Sequence, residues 1–169
     1  MQYKICVFDN MPEMDELPVG KIVYFPDSND INNNIYAQAR ICYVTDIGLI
    51  VRIWVFESKP FSVSGQVTLD LKGEKGDITV AFSYSKIVQC FANGKTIAPC
   101  PQVSFFESED LQGEYWGGQF VLDNEFLNRF LCENVPLKIG DFFIGNITTF
   151  VKTKGSLFDL ENGKFILVS

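Results

Sequence analysis

Arg52, Trp54 and Glu57 stand close together in "GLIVRIWVFES", residues 48–58, a stretch otherwise built of Leu, Ile, Val and Phe. In a β-strand, residues two apart share a face. Ile50, Arg52, Trp54 and Phe56 therefore point one way, and Leu49, Val51, Ile53 and Val55 the other. The second row is a plain core face. The first sets a guanidinium beside an indole. That pair suits polyhydroxylated ligands, because the C–H face of a pyranose packs on an aromatic ring while a planar cation makes paired hydrogen bonds to adjacent hydroxyls. It equally suits a half-buried tryptophan on which an arginine stacks.

Trp116, flanked by Tyr115 and by Gly117–Gly118, is the second candidate, because the glycines allow close approach. Two aromatic residues on different strands would sandwich one sugar ring. Asn146, after Gly145, offers an amide to hydroxyls or sits in a bulge, and Glu57 offers a carboxylate to a sugar or a cation, or pairs with Arg52 or Lys59. The candidate ligand-binding set is thus Arg52, Trp54, Glu57, Tyr115, Trp116 and Asn146.

Several chemistries are excluded. The chain has no histidine, which removes Ser-His-Asp and Cys-His catalysis in their usual forms and every His-containing zinc site. It has no C-x-x-C pair, no G-x-G-x-x-G and no Walker-type loop. No metal and no cofactor is expected. Glycoside hydrolysis needs only two carboxylates, about 5–5.5 Å or 6.5–9.5 Å apart, and Glu57, Glu107 and Glu114 could supply them. The polar run "PDSNDINNN" at 26–34 is rich in oxygen donors but lacks the glycine and terminal glutamate of an EF-hand loop.

The elements that must position these residues are short strands. The 169 residues fit one domain, 1–169, and 47% of them are hydrophobic, including 16 Phe. Strands are expected at about 3–9, 21–25, 36–45, 48–57, 65–71, 77–84, 86–91, 102–107, 117–122, 141–152 and 164–168, from β-branched and aromatic runs bounded by Gly, Pro, Asn and Asp. "VTLDLKGEKGDITVAFSY" is a hairpin by its alternation, and Asn93–Gly94 marks a tight turn. "LDNEFLNRFLCEN" is the one helix, with Asp123 as N-cap and an end near 133–134. Many short strands and one helix predict an all-β, antiparallel β-sandwich. Two segments, "GQVTLD" and "GQFVLD", look alike, as repeated strand grammar readily produces.

A net charge of −7 without a basic patch argues against nucleic acid. No apolar run reaches the roughly 18 residues of a membrane span. Five widely spaced cysteines and no export signal predict reduced thiols and a cytoplasmic protein.

Three features together resemble the carbohydrate-binding module family 9-like domains of the DOMON-like group. "YAQARICYVTDIGLIVRIWVFESKP" at 36–60 is similar to their first core hairpin, through Ala39, Ile41, Leu49, Val51, Arg52, Val55, Glu57 and Pro60. "YWGGQFVLDNEFL" resembles their tryptophan strand running into a short helix, and "IGDFFIGNITTFVK" their late strand, through Gly140, Phe143, Gly145 and Asn146. The acidic "D-S-x-V-E" strand is missing, and Ile147–Thr148 replace the aromatic residue expected after Gly-Asn. The resemblance implies a β-sandwich and a non-catalytic module for a mono- or oligosaccharide or another polyol. A protein-interaction domain using the same aromatic face, and a glycosidase-like enzyme, are the alternatives.

Overall fold

The computed structural model describes residues 1–22, 36–151, 153–158 and 162–169. The polar run at 26–34 and the end of the expected strand at 21–25 lie outside the described residues.

Strand β1 (Gln2–Phe8) leads through a 3₁₀ turn (Met14–Glu16) to the short β2 (Gly20–Ile22). Strands β3 (Tyr36–Val44) and β4 (Gly48–Phe56) follow, then β5 (Gln66–Lys72), β6 (Asp77–Ser83), β7 (Val88–Ala92) and β8 (Lys95–Thr96). After them come β9 (Ser104–Asp110), β10 (Gly113–Asp123), helix α1 (Asn124–Phe130), β11 (Phe142–Val151), β12 (Thr153–Ser156) and β13 (Gly163–Val168). Every expected strand is present, with β8 and β12 in addition. Both additions are short partners of a longer strand, two and four residues long, and carry little pattern of their own.

Local chemistry explains the junctions. Asn93 and Gly94 take φ of +50° and +79°, the two left-handed positions of a tight hairpin turn, and Ala92 pairs with Lys95 across it. The carboxylate of Asp123 accepts from the Phe126 N–H at 2.7 Å and caps α1. The helix ends at Phe130, earlier than its apolar spacing predicts. Leu131 and Cys132 both donate to the Leu127 carbonyl, closing the last turn.

The all-β expectation holds, but the sheet is mixed and curled rather than a plain antiparallel sandwich. Its order is β8-β7-β6-β5-β11-β13-β1-β3-β4-β10-β9, with β12 on β11 and β2 on β3. The mixed character comes from β1, which lies in the middle of the sheet and runs parallel to both of its neighbours, β13 and β3. Two parallel neighbours require crossover connections rather than hairpins, and alternation within a strand does not report that.

The curl brings the two arms of the sheet face to face. Phe82 of β6 meets Phe105 of β9 and Trp116 and Phe120 of β10, with ring centroids 5.9, 6.3 and 6.4 Å away. The end strands β8 and β9 do not pair with one another. Ile97, Cys100 and Val103 pack against the core between them.

This arrangement answers why "GLIVRIWVFES" is apolar on both faces. Leu49, Val51, Ile53 and Val55 enter the main core. Ile50, on the outer face, is covered by Met14 and Leu17 with Cys42 and Val44 in a second, smaller cluster. A strand buried on both sides loses clean alternation.

Candidate functional site

The register of β4 with its neighbours sets the outer face in rows. Gln38, Trp54, Gly117 and Phe106 form one row, and Arg40, Arg52, Gln119 and Ser104 the next. The row beyond Trp54 is Tyr36, Phe56 and Tyr115. Arg52 and Trp54 therefore share the outer face, away from the inter-layer core. Trp54 is nevertheless only 7% exposed. Arg40 and Arg52 lie over its ring, at 5.4 and 6.0 Å from the centroid. The guanidinium of Arg52 also lies 4.6 Å from the Phe106 centroid. Gly117 makes this possible: a Cβ there would come within 2.8 Å of the Phe106 ring. Around them Tyr36 stacks on Phe56 at 4.7 Å, and Phe56 meets Tyr115 at 5.4 Å. The exposed apolar patch on Trp54 and Phe56 that a protein-interaction surface would use is absent, because both side chains are buried.

Trp116 sits elsewhere. It is in register with Val55, so it projects to the inner face and is 1% exposed. The expected sandwich of a sugar between Trp54 and Trp116 is not formed: the two rings lie on opposite faces of one sheet. The reason is parity, since partners in register share a face and Trp54 pairs with Gly117, one residue on.

Glu57 and Asn146 bind their own chain. The Glu57 carboxylate accepts from the backbone N–H and the hydroxyl of Ser62. Asn146 is buried, and its Oδ1 accepts from the N–H groups of Ile147 at 2.9 Å and Phe158 at 3.1 Å. Glu114 accepts from the Lys59 N–H at 3.0 Å, and Glu107 from the Tyr84 hydroxyl at 3.3 Å. Among the described residues no group of three or more His, Cys, Asp or Glu could hold a metal ion, and no helix is long and apolar enough to cross a membrane.

Concavity appears at the seam between the two arms. A cleft of about 340 Å³ is lined by Tyr84, Phe105, Phe106 and Trp116, with Ser85, Lys86, Glu107 and Gly117. Tyr84 packs edge-on to Trp116 at 5.7 Å and to Phe61 at 5.4 Å. Burial, with the nearby Glu107 carboxylate, pushes the Tyr84 phenol above its ordinary value. The Trp116 Nε1–H is buried with no hydrogen-bond partner among the described residues. The cleft therefore offers aromatic walls and, at its rim, a carboxylate, an ammonium and hydroxyls. Tyr84 and Lys86 carry no sequence signal as a site, because the sheet's curl brings the turn between β6 and β7 against β9 and β10. Phe105–Phe106 before an acidic run was the available hint.

No family model matches the chain, and no curated protein does. A crystal structure from Bacteroides uniformis, described as that of a "putative carbohydrate-binding protein", is similar along 99% of both chains, with a TM-score of 0.66 and 11% identity. At that identity the likeness is one of fold.

Proposed function

We propose that this chain is a non-catalytic carbohydrate- or polyol-binding module that takes a mono- or small oligosaccharide in the seam cleft. One observation carries the reading: Tyr84 and Phe105, backed by the buried Trp116, wall a cleft rimmed by Glu107, Lys86 and the Tyr84 hydroxyl. Aromatic faces accept the apolar side of a sugar ring, while a carboxylate accepts two neighbouring hydroxyls. The likeness to a fold described as carbohydrate-binding supports it. We also propose kinship with the family 9-like, DOMON-like modules. The residues behind that resemblance, such as Ala39, Ile41, Val51 and Val55, are buried. They therefore support a shared framework more than a shared site. In this reading Arg52, Trp54 and Tyr115 belong to the opposite face, and Trp116 supports the cleft from within. Free thiols at all five cysteines accord with a reducing compartment, and we read the module as cytoplasmic.

Thermal shift with a panel of mono- and disaccharides tests this. A sugar at about 100 times its dissociation constant adds about 2.7 kcal/mol to native stability. Tyr84→Ala and Glu107→Gln remove that shift while the fold remains. A panel in which no neutral sugar raises the melting temperature overturns the reading.

A further inference from the structure

We infer that the outer face of β3, β4 and β10 carries a second site, selective for a carboxylate-bearing saccharide such as a uronate, with Arg52 as its anion-gripping residue. The charge pattern is the first ground. Arg40 and Arg52 stand directly opposite one another in the β3–β4 ladder. Like charges in that position repel, so the pairing works against the sheet it sits in. The chain carries a net charge of −7, yet the remaining residues of this row, Gln119 and Ser104, are neutral. The flanking positions on β3 and β10, Gln38, Cys42, Gly117 and Val121, are neutral too. A positive pair without an acidic cross-strand neighbour is an arrangement that an anionic ligand completes.

Geometry is the second ground. The Arg52 guanidinium lies over Phe106 and near Trp54, which fixes its plane. Stacking spends the face of the guanidinium and leaves its N–H edges to donate, the geometry that matches a carboxylate in two parallel hydrogen bonds. Arg40 donates from Nη1 to the Met14 carbonyl at 3.0 Å, so it is anchored behind the site, while its Nε–H is buried with no partner among the described residues.

The third ground is room for the rest of the ligand. Ser104 and Gln119 pass from this row into a cleft of about 620 Å³ that also holds Gln102, Glu125 and Arg129. It lies where β10 runs on to Asp123 past the last residue that β9 pairs, Gln119. A uronate would set its carboxylate at Arg52 and its hydroxyls against the amides and hydroxyl of Gln119, Gln102 and Ser104.

Calorimetry on the full chain at low ionic strength, with D-glucuronate, D-glucose and acetate, tests the inference. Glucuronate is expected to bind about tenfold or more tightly than either of the others, since it alone has both the anion and the ring. Arg52→Gln should erase that preference, and Arg52→Lys, which keeps the charge but not the fork, should lose most of it. In the Tyr84→Ala background, which disables the seam cleft, the preference for glucuronate over glucose and acetate should persist, and this separates the outer-face site from the seam cleft. In that background, equal affinity for glucose and glucuronate, or acetate binding as well as glucuronate, overturns the inference. So does an Arg52→Gln protein with native affinity. Should circular dichroism show that the Arg52 variants do not fold, Gln119→Ala decides: reduced glucuronate affinity supports the site, and unchanged affinity overturns it.

Discussion

Trp54 and Trp116 stand on opposite faces of the β4–β10 strand pair. Trp54 pairs with Gly117 under two arginines on the outer face, whereas Trp116 pairs with Val55 and enters the core between the arms. Both are almost fully buried, but in different company. Trp116 packs against Phe82 and Tyr84. Trp54 belongs to neither apolar cluster.

Their truncations should differ accordingly. Trp116→Ala should cost about 3–5 kcal/mol, as for a core aromatic residue that leaves a cavity. Trp116→Phe should cost much less, because the lost indole N–H has no partner among the described residues. Trp54→Ala should also destabilise, by about 2–4 kcal/mol, since the ring is buried and two guanidinium groups lose their platform. Urea unfolding measures all three. A Trp54→Ala protein as stable as the parent would contradict the packing described here.

Asn146 holds two buried backbone N–H groups. Replacing it with Ala removes the acceptor of two buried N–H groups, those of Ile147 and Phe158. The expected loss is about 2 kcal/mol or more. Amide hydrogen exchange should show Phe158 deprotected first, because Ile147 lies within the β11 ladder.

Glu57→Ala should uncouple the 57–62 turn from β4, because the carboxylate holds both the Ser62 N–H and its hydroxyl. A cost of about 1–3 kcal/mol follows from leaving that N–H unsatisfied. Ligand affinity, corrected for the folded fraction, should not change. A specific loss of sugar affinity would assign Glu57 a contact with ligand instead.

Stability should fall on the alkaline side. Burial pushes the thiol of Cys42 up to about 11 and those of Cys90 and Cys132 up to about 12. The unfolded chain ionises these thiols near pH 8.5, so above that pH the unfolded state binds fewer protons than the folded one. The contribution is intact below pH 8.5 and is lost as pH rises toward 11 and 12. Urea midpoints at pH 8, 9.5 and 10.5 should decline in that order, and thiol reagents at pH 8 should label half-buried Cys6 and Cys100 before the other three. A flat profile would mean that the three thiols are not held protonated by the fold.

Much of the local structure was legible in the sequence. The Asp123 cap, the Asn93–Gly94 turn, the hairpin from Val67 to Phe82 and the two-faced reading of β4 all rest on interactions within a few residues or on parity along one strand. The shared face of Arg52 and Trp54 follows from that parity alone. What the sequence could not decide was what lies opposite each face. The burial of Trp54 needs Arg40, brought alongside by β3, and Phe106, brought by β9 across Gly117. The separation of Trp54 from Trp116 depends on the register between β4 and β10, and a shift of one residue would reverse it. The seam cleft depends on the curl that sets β6 against β9 and β10, and the order of the sheet depends on β1 lying parallel between β13 and β3. Such contacts are set by the free energy of closing one sheet over one core, a property of all the strands together and of no single stretch.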